Sequence, residues 1–283
     1  MTIQKITLIA VYDSYLKNIV PLASFMKARG IRVEMYISDM ISERIINQVA
    51  TGLNYTRLTL AELRAGNFNK DSEVYFIGAG SSELCSIAAQ VPDSSLKVSM
   101  FPGVTSAAVY KGFDARNSTD VVLLNNSVDL DRFTKYAGDM RILGCHPFLL
   151  GFPFLKKLEK AGGDDIVFFD QNFPAMSYSE KAYMLDRLMQ LAASNPARKV
   201  IIKLRNKQGE HTAHKGQHRF ENIMQKIAGK TAIPQNISIS YDSVDEVLKN
   251  AALVVSVSST AIFEAIYNDV EAVVLSDFGI RPE

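Results

Sequence analysis

Three hydroxyl residues in a row, Ser258, Ser259 and Thr260, stand where an apolar run ends and a helical pattern begins. The run 251–257 predicts a buried strand, and 261–267 has helical spacing. The first turn of a helix has unpaired N–H groups and lies at the positive end of the helix dipole. Serine and threonine hydroxyls add further donors, so this junction suits an anion such as a phosphate. Glu264 lies on the helix that follows. The plain alternative is that Ser258 or Ser259 only caps the helix.

A second group of residues has the charge to match. Lys203 and Arg205 sit at the end of an expected strand, where side chains two apart share a face. Lys207, His211 and His214 follow, with Glu210 among them. Cations and donors so close together at a strand end fit a nucleotide phosphate. A solvated basic loop is the alternative. His211 and His214 are three residues apart with no third ligand in view, so no metal is inferred.

Candidates for proton transfer lie in the first half of the chain. Asp13 stands between the first apolar run and the first helical pattern, where its carboxylate could take the proton of an acceptor hydroxyl. It could equally be a helix cap. His146 follows the strand-like run 141–144 and is a second candidate acid or base. Cys145 is its neighbour, but adjacent strand residues point to opposite faces, which argues against a Cys–His pair. Gly78-Ala79-Gly80-Ser81-Ser82 follows a strand and opens a helix. It lacks the third glycine of a dinucleotide fingerprint and the Gly-Lys-Ser/Thr of a P-loop. Asp170-Gln171-Asn172 ends another expected strand and offers a polar lining.

These residues need elements to place them. Apolar runs at 6–11, 31–37, 73–77, 97–101, 121–124 and 141–144 predict strands. Between them 13–28, 41–50, 83–90, 106–111 and 130–137 have helical spacing. The second half repeats the alternation, with strands at 166–169, 199–204, 237–241, 251–257 and 271–275 and helices at 179–193, 219–228, 243–250 and 261–267. Alternation of this kind implies βαβ units and parallel sheets. The expected fold is α/β with two Rossmann-like, doubly wound domains, residues 1–155 and 156–283. The change is placed in 145–163, where Pro147, Pro153 and Gly162-Gly163 interrupt the pattern. Only eight residues follow the last expected strand. The second domain is therefore expected to lack a closing helix, as a truncated form of a longer protein or one covered by a partner.

Composition narrows the classes. The net charge of +1 argues against a protein built mainly to hold nucleic acid. Two cysteines without a CxxC pair do not suggest a disulfide framework and fit a reducing cytoplasm. No apolar stretch approaches 18 residues, and the first residues do not read as a signal peptide.

Asp13-Ser14-Tyr15-Leu16-Lys17, Asp170-Gln171, Lys203-Leu204-Arg205 with Gly209-Glu210 and His214, and Ser258-Ser259-Thr260 with Glu264-Ala265 together resemble bacterial surface-polysaccharide glycosyltransferases of the GT-B type. The similar group is the capsule and lipooligosaccharide sialyltransferase-like proteins. The resemblance implies a metal-independent transferase without a cofactor, in the cytoplasm or at the inner face of the membrane as a peripheral protein. It implies a nucleotide-sugar donor, CMP-linked or otherwise, held by the C-terminal domain through Lys203, Arg205, Glu210, His214, Ser258, Ser259 and Thr260. The N-terminal domain would take a saccharide or glycolipid acceptor, with Asp13 and then His146 as the catalytic candidates. The chain departs from those sialyltransferases after the strand ending at Lys203-Leu204-Arg205, where Arg205-Asn206 replaces a His-Pro pair. Two alternatives stand beside this reading: a nucleotide-sugar epimerase of the same architecture, and a non-catalytic two-domain ligand-binding protein. The oligomeric state stays open.

Overall fold

The computed structural model describes residues 3–105, 109–142, 144–171, 177–210, 218–228 and 231–278. It divides into two compact units, one ending at Phe154 and the other starting at Leu155.

In the first unit, strand β1 (Lys5–Ala10) is buried along its whole length, as a strand covered on both faces must be. Helix α1 (Asp13–Lys27), β2 (Arg32–Ser38), α2 (Glu43–Val49), β3 (Thr56–Leu58), α3 (Leu60–Ala65), β4 (Val74–Gly78), α4 (Ser81–Ala88), β5 (Leu96–Met100), α5 (Tyr110–Arg116), β6 (Val121–Leu124), α6 (Ser127–Asp139) and β7 (His146–Leu149) follow. The strands form one parallel sheet in the order β3-β2-β1-β4-β5-β6-β7. Helix α1 buries Tyr15, Leu16, Ile19 and Ala23, and Gly78 explains how close it comes. A Cβ there would lie 2.7 Å from the Tyr15 Cβ and 2.9 Å from the Ile19 Cδ1. The strand ends in glycine because the helix occupies the space of a side chain.

The second unit contains β8 (Asp165–Phe169), α7 (Tyr178–Ser194), β9 (Val200–Lys203), α8 (Phe220–Ala228), β10 (Ile237–Ser240), α9 (Val244–Asn250), β11 (Ala251–Ser256), α10 (Ala261–Tyr267) and β12 (Glu271–Val274). Its parallel sheet has the order β10-β9-β8-β11-β12. Phe168, Leu185, Ile202 and Phe220 form the centre of one core layer, and Val167, Leu248, Val254 and Ala265 the other. Strand β12 is largely exposed, with Val273 and Val274 facing solvent. Among the described residues no helix is long and apolar enough to cross a membrane.

Both units are therefore doubly wound α/β sheets. Three local features differ from the sequence reading. Residues 141 and 142 are not in a strand: Arg141 has φ 53°, and the N–H groups of Arg141 and Ile142 donate to the Gly138 and Ala137 carbonyls; residue 143 lies outside the described residues. This is a helix C-terminal cap, with Ile142 packed on the same apolar cluster as Ala137. The edge strand comes later, at His146–Leu149. Strand β3 and helix α3 were not expected, although Thr59 and Glu62 form a capping box that marks the helix start. Helix α5 begins at Tyr110, and residues 106–108 lie outside the described residues.

Candidate functional site

In each sheet the strand order reverses once, between β1 and β4 and between β8 and β11. At such a reversal the flanking helices leave to opposite faces and open a crevice at the carboxyl edge, where ligands bind.

At the second reversal, Asp170 and Gln171 follow β8. Asp170 is ion-paired with the buried Lys181 of α7, whose Nζ also donates to the Gln171 carbonyl at 2.8 Å. Burial pushes the Asp170 carboxyl up, and Lys181 opposes that shift. The backbone of Gln171 is thus fixed, and its side chain reaches the loop after β11. Its Oε1 accepts the Ser258 N–H at 2.6 Å and the Ser258 hydroxyl at 3.1 Å. Ser256 Oγ donates to the Phe169 carbonyl at 2.9 Å just below. Ser259 Oγ accepts the Ala261 N–H at 3.2 Å and so acts at the helix start. Thr260 precedes α10 without a side-chain cap bond, and Glu264 is buried in the first turn. Of the three hydroxyl residues, Ser258 is the most exposed.

The basic segment divides differently from the sequence expectation. Strand β9 ends at Lys203, so the two-residue period does not extend to Arg205. Lys203 is buried and its Nζ donates to the Leu204 carbonyl at 2.7 Å, whereas Arg205 is half-buried in the bend that follows. The two do not share a strand face, and Arg205 is the cation nearer solvent. Glu210 Oε2 accepts the Lys207 N–H at 2.7 Å and closes the turn through Gly209, at φ 86°. His211, His214 and Asn172 lie outside the described residues.

A cluster that sequence reading did not single out occupies the same edge. Tyr241 follows β10, Glu221 lies in the first turn of α8 and Arg219 just precedes it. Arg219 NH2 and the Tyr241 hydroxyl each lie 2.5 Å from Glu221 Oε1. Burial alone would raise the Glu221 carboxyl, but the Arg219 and Tyr241 hydrogen bonds outweigh it and hold it below the ordinary glutamate value. Only the acidic first turn of a helix was visible in sequence; Tyr241 lies 20 residues away.

At the first reversal, Tyr12 precedes α1 and Asp13 is its first residue. The half-buried Asp13 accepts the Ser14 N–H at 2.9 Å. Across the crevice, a Cβ on Gly80 would lie 2.9 Å from Glu83 Oε2 and 3.5 Å from Tyr12 Cε2. The glycine leaves room for a carboxylate at the start of α4, so this edge is acidic where a phosphate cradle would need to be empty. Glu83 is paired with Arg64 at 2.7 Å. Burial and then the Glu83 charge push the Tyr12 phenol up. Glu83 and Arg64 were missed in sequence, since they meet only through the packing of α3 on α4.

His146 begins β7 and therefore lies at the amino edge of the first sheet, opposite Asp13. It lines an open depression of about 470 Å³ with Thr134, Arg141 and Cys145. The structure does not bring His146 and Asp13 together. Cys145 is buried, and burial pushes its thiol up to about 11, which suits a packing residue rather than a nucleophile. Among the described residues no three His, Cys, Asp or Glu side chains group to hold a metal.

A family model described as "Putative glycosyltransferase (DUF6716)" matches residues 6–283. No curated protein matches the sequence. Among solved structures, the UDP-GlcNAc 2-epimerase of Methanocaldococcus jannaschii in complex with UDP-GlcNAc and UDP is similar at a TM-score of 0.70 and 10% identity, over 97% of this chain and 84% of that one. The UDP-GlcNAc 2-epimerase of Neisseria meningitidis bound to UDP-GlcNAc is similar at 0.66 and 9%, over 96% and 82%. An alpha-glucosyltransferase in complex with UDP is similar at 0.55 and 10%, over 98% and 82%. Identity this low carries the fold, which is the two-domain, Rossmann-like GT-B architecture.

Proposed function

This chain belongs to the family described as "Putative glycosyltransferase (DUF6716)", and on that premise we propose that it moves a sugar from a nucleotide-activated donor to a saccharide or glycolipid acceptor. The observation that carries the division of labour is the tie between Gln171 and Ser258 across the β8/β11 crevice, beside a loop rich in cations. The donor phosphate belongs on this edge. Arg205 and Ser258 face it, while Lys203, Ser259 and Thr260 support the backbone around it and Glu210 holds the loop turn. Donors fixed in advance are worth most where negative charge develops on the leaving phosphate. In this reading the positive side chains take the part that a metal plays elsewhere.

The acidic edge of the first unit takes the acceptor, and Asp13 accepts its hydroxyl proton. His146, on the opposite edge, has no part in the reaction. The finer form of the reading is a CMP-activated acidic sugar, of the sialic acid kind, transferred to a capsule or lipooligosaccharide acceptor by a protein acting in the cytoplasm or at the inner face of the membrane. It rests on the resemblance of the motifs, whereas the similar solved structures hold UDP or UDP-GlcNAc. A thermal-shift series against CMP, UDP, GDP and CDP separates these, because a ligand that binds only the folded chain raises its melting temperature. CMP should give the largest shift. A larger shift with UDP would move the donor class, and no shift with any nucleotide would remove the donor site. An epimerase has the same architecture but needs no acceptor, so incubation with donor alone should leave the sugar unchanged.

A further inference from the structure

The Glu221 carboxylate is used unevenly. Two of the three Arg219 nitrogens, Nε at 3.2 Å and NH2 at 2.5 Å, converge on Oε1, and the Tyr241 hydroxyl lies 2.5 Å from the same atom. Oε2 is buried and has no hydrogen-bond partner among the described residues. An arginine paired with a carboxylate ordinarily spreads its fork over both oxygens. An ionised oxygen left without a donor is costly, so such an atom in a native structure calls for an explanation.

The position of the cluster supplies one. Tyr241 follows β10, and Arg219 NH2 also donates to the Asn206 carbonyl, in the loop after β9, at 2.7 Å. Lys207 of that loop lies over the Tyr241 ring, 5.6 Å from its centroid. The cluster thus stands at the same carboxyl edge as Gln171 and Ser258. In the order β10-β9-β8-β11, three strand spacings separate the two ends of this edge, about 14 Å at 4.7–4.9 Å each. That is a span an extended nucleoside diphosphate can cover. If phosphate lies by Ser258 and Arg205, the nucleoside lies toward Tyr241 and Glu221.

We propose that Glu221 is the nucleoside-recognition residue of the donor site, its idle oxygen accepting a hydrogen bond from a neutral donor on the nucleotide. This rests on the donor reading above. The Glu221 side chain as a whole keeps 22% of its surface exposed, and its last torsion is broad, so a partial turn brings Oε2 within reach of a ligand. The donor is an N–H of the base or a hydroxyl of the ribose. Both are neutral donors to an ionised acceptor, and Arg219 and Tyr241 keep that acceptor ionised and in place.

Calorimetric titration of the full chain with CMP, UMP, the 2′-deoxy form of the better of these, and inorganic pyrophosphate tests the assignment. The wild type should discriminate by about tenfold or more, the loss expected from one charge-assisted hydrogen bond. Discrimination between CMP and UMP identifies the base as the source, and discrimination against the 2′-deoxy form identifies the ribose. Glu221→Gln should reduce that ratio below about threefold while pyrophosphate binding stays unchanged, which also reports that the variant is folded. Equal wild-type affinity for all three nucleotides overturns the assignment. So does a ratio that survives in Glu221→Gln, or a parallel loss of pyrophosphate binding. If the wild type binds no nucleotide at all, the donor reading itself fails, and this assignment with it.

Discussion

The two units wind their sheets in the same order around the reversal, yet they furnish the resulting crevices with opposite chemistry. In the first, Gly78 lets α1 lie directly on β4, and Gly80 makes room for the Glu83 carboxylate beside Tyr12 and Asp13. In the second, the corresponding edge carries Lys203, Arg205 and Lys207, beside Lys181 paired with Asp170 and Arg219 paired with Glu221, and Gln171 is tied to Ser258 across the gap. The proposed function places the anion at the second edge and keeps it from the first. A hydroxyl that must lose its proton gains from the first edge and nothing from the second. Topology thus provides two equivalent places, and the side chains after each strand decide what each place is for.

Four measurements would break or sharpen this contrast. The largest effect is expected at Lys181. Lys181→Met leaves Asp170 buried without its cation, which should cost about 3–5 kcal/mol, read as a lower midpoint in chemical denaturation. A change under 1 kcal/mol would mean that the pair does not hold the β8 edge in shape. Next comes Asp13→Asn, which should lower turnover roughly a hundredfold while nucleotide affinity stays near wild type. Normal turnover with reduced stability would return Asp13 to a purely local role at the start of α1. Third, Arg205→Ala and Ser258→Ala should each weaken nucleotide binding by about 1.5–3 kcal/mol, roughly ten- to a hundredfold. Unchanged affinity in both would empty the second edge of its assigned ligand. The smallest effect belongs to His146→Ala, which should leave turnover within about twofold, as expected for a surface substitution away from the site. A large loss there would show that chemistry uses the amino edge of the first sheet after all.

The alternation of apolar runs with helical spacing was enough to read both sheets, because fully buried parallel strands leave an unbroken apolar signature. The strand near 141–149 was misplaced by a few residues for a physical reason. Ile142 is apolar as a helix-cap contact, whereas the exposed edge strand His146–Leu149 contains Pro147, which reads as a break in the pattern. That shift alone put His146 on the wrong edge. The hydroxyl run after β11 and the polar residues after β8 were visible as candidates, but the Gln171–Ser258 bond was not. Its partners are 87 residues apart and meet only because β11 inserts beside β8. The Arg219–Glu221–Tyr241 group was hidden in the same way, since nothing in local spacing announces that one carboxylate oxygen will take three contacts.

The insertion of β11 beside β8 also sets when this edge can exist. β8 can pair with β9 early, since they are close in sequence, but its other side waits for residues 251–256. Contacts of such separation form late, because closing a long loop costs entropy before any pairing offsets it. During synthesis at 5–20 residues per second, the 87 residues between Gln171 and Ser258 take roughly 4–17 s to emerge. For that interval the apolar strand Asp165–Phe169 has an unpaired edge, a template for pairing with other chains. The nascent protein is thus most exposed to misassembly at the strand whose carboxyl edge is the proposed donor site.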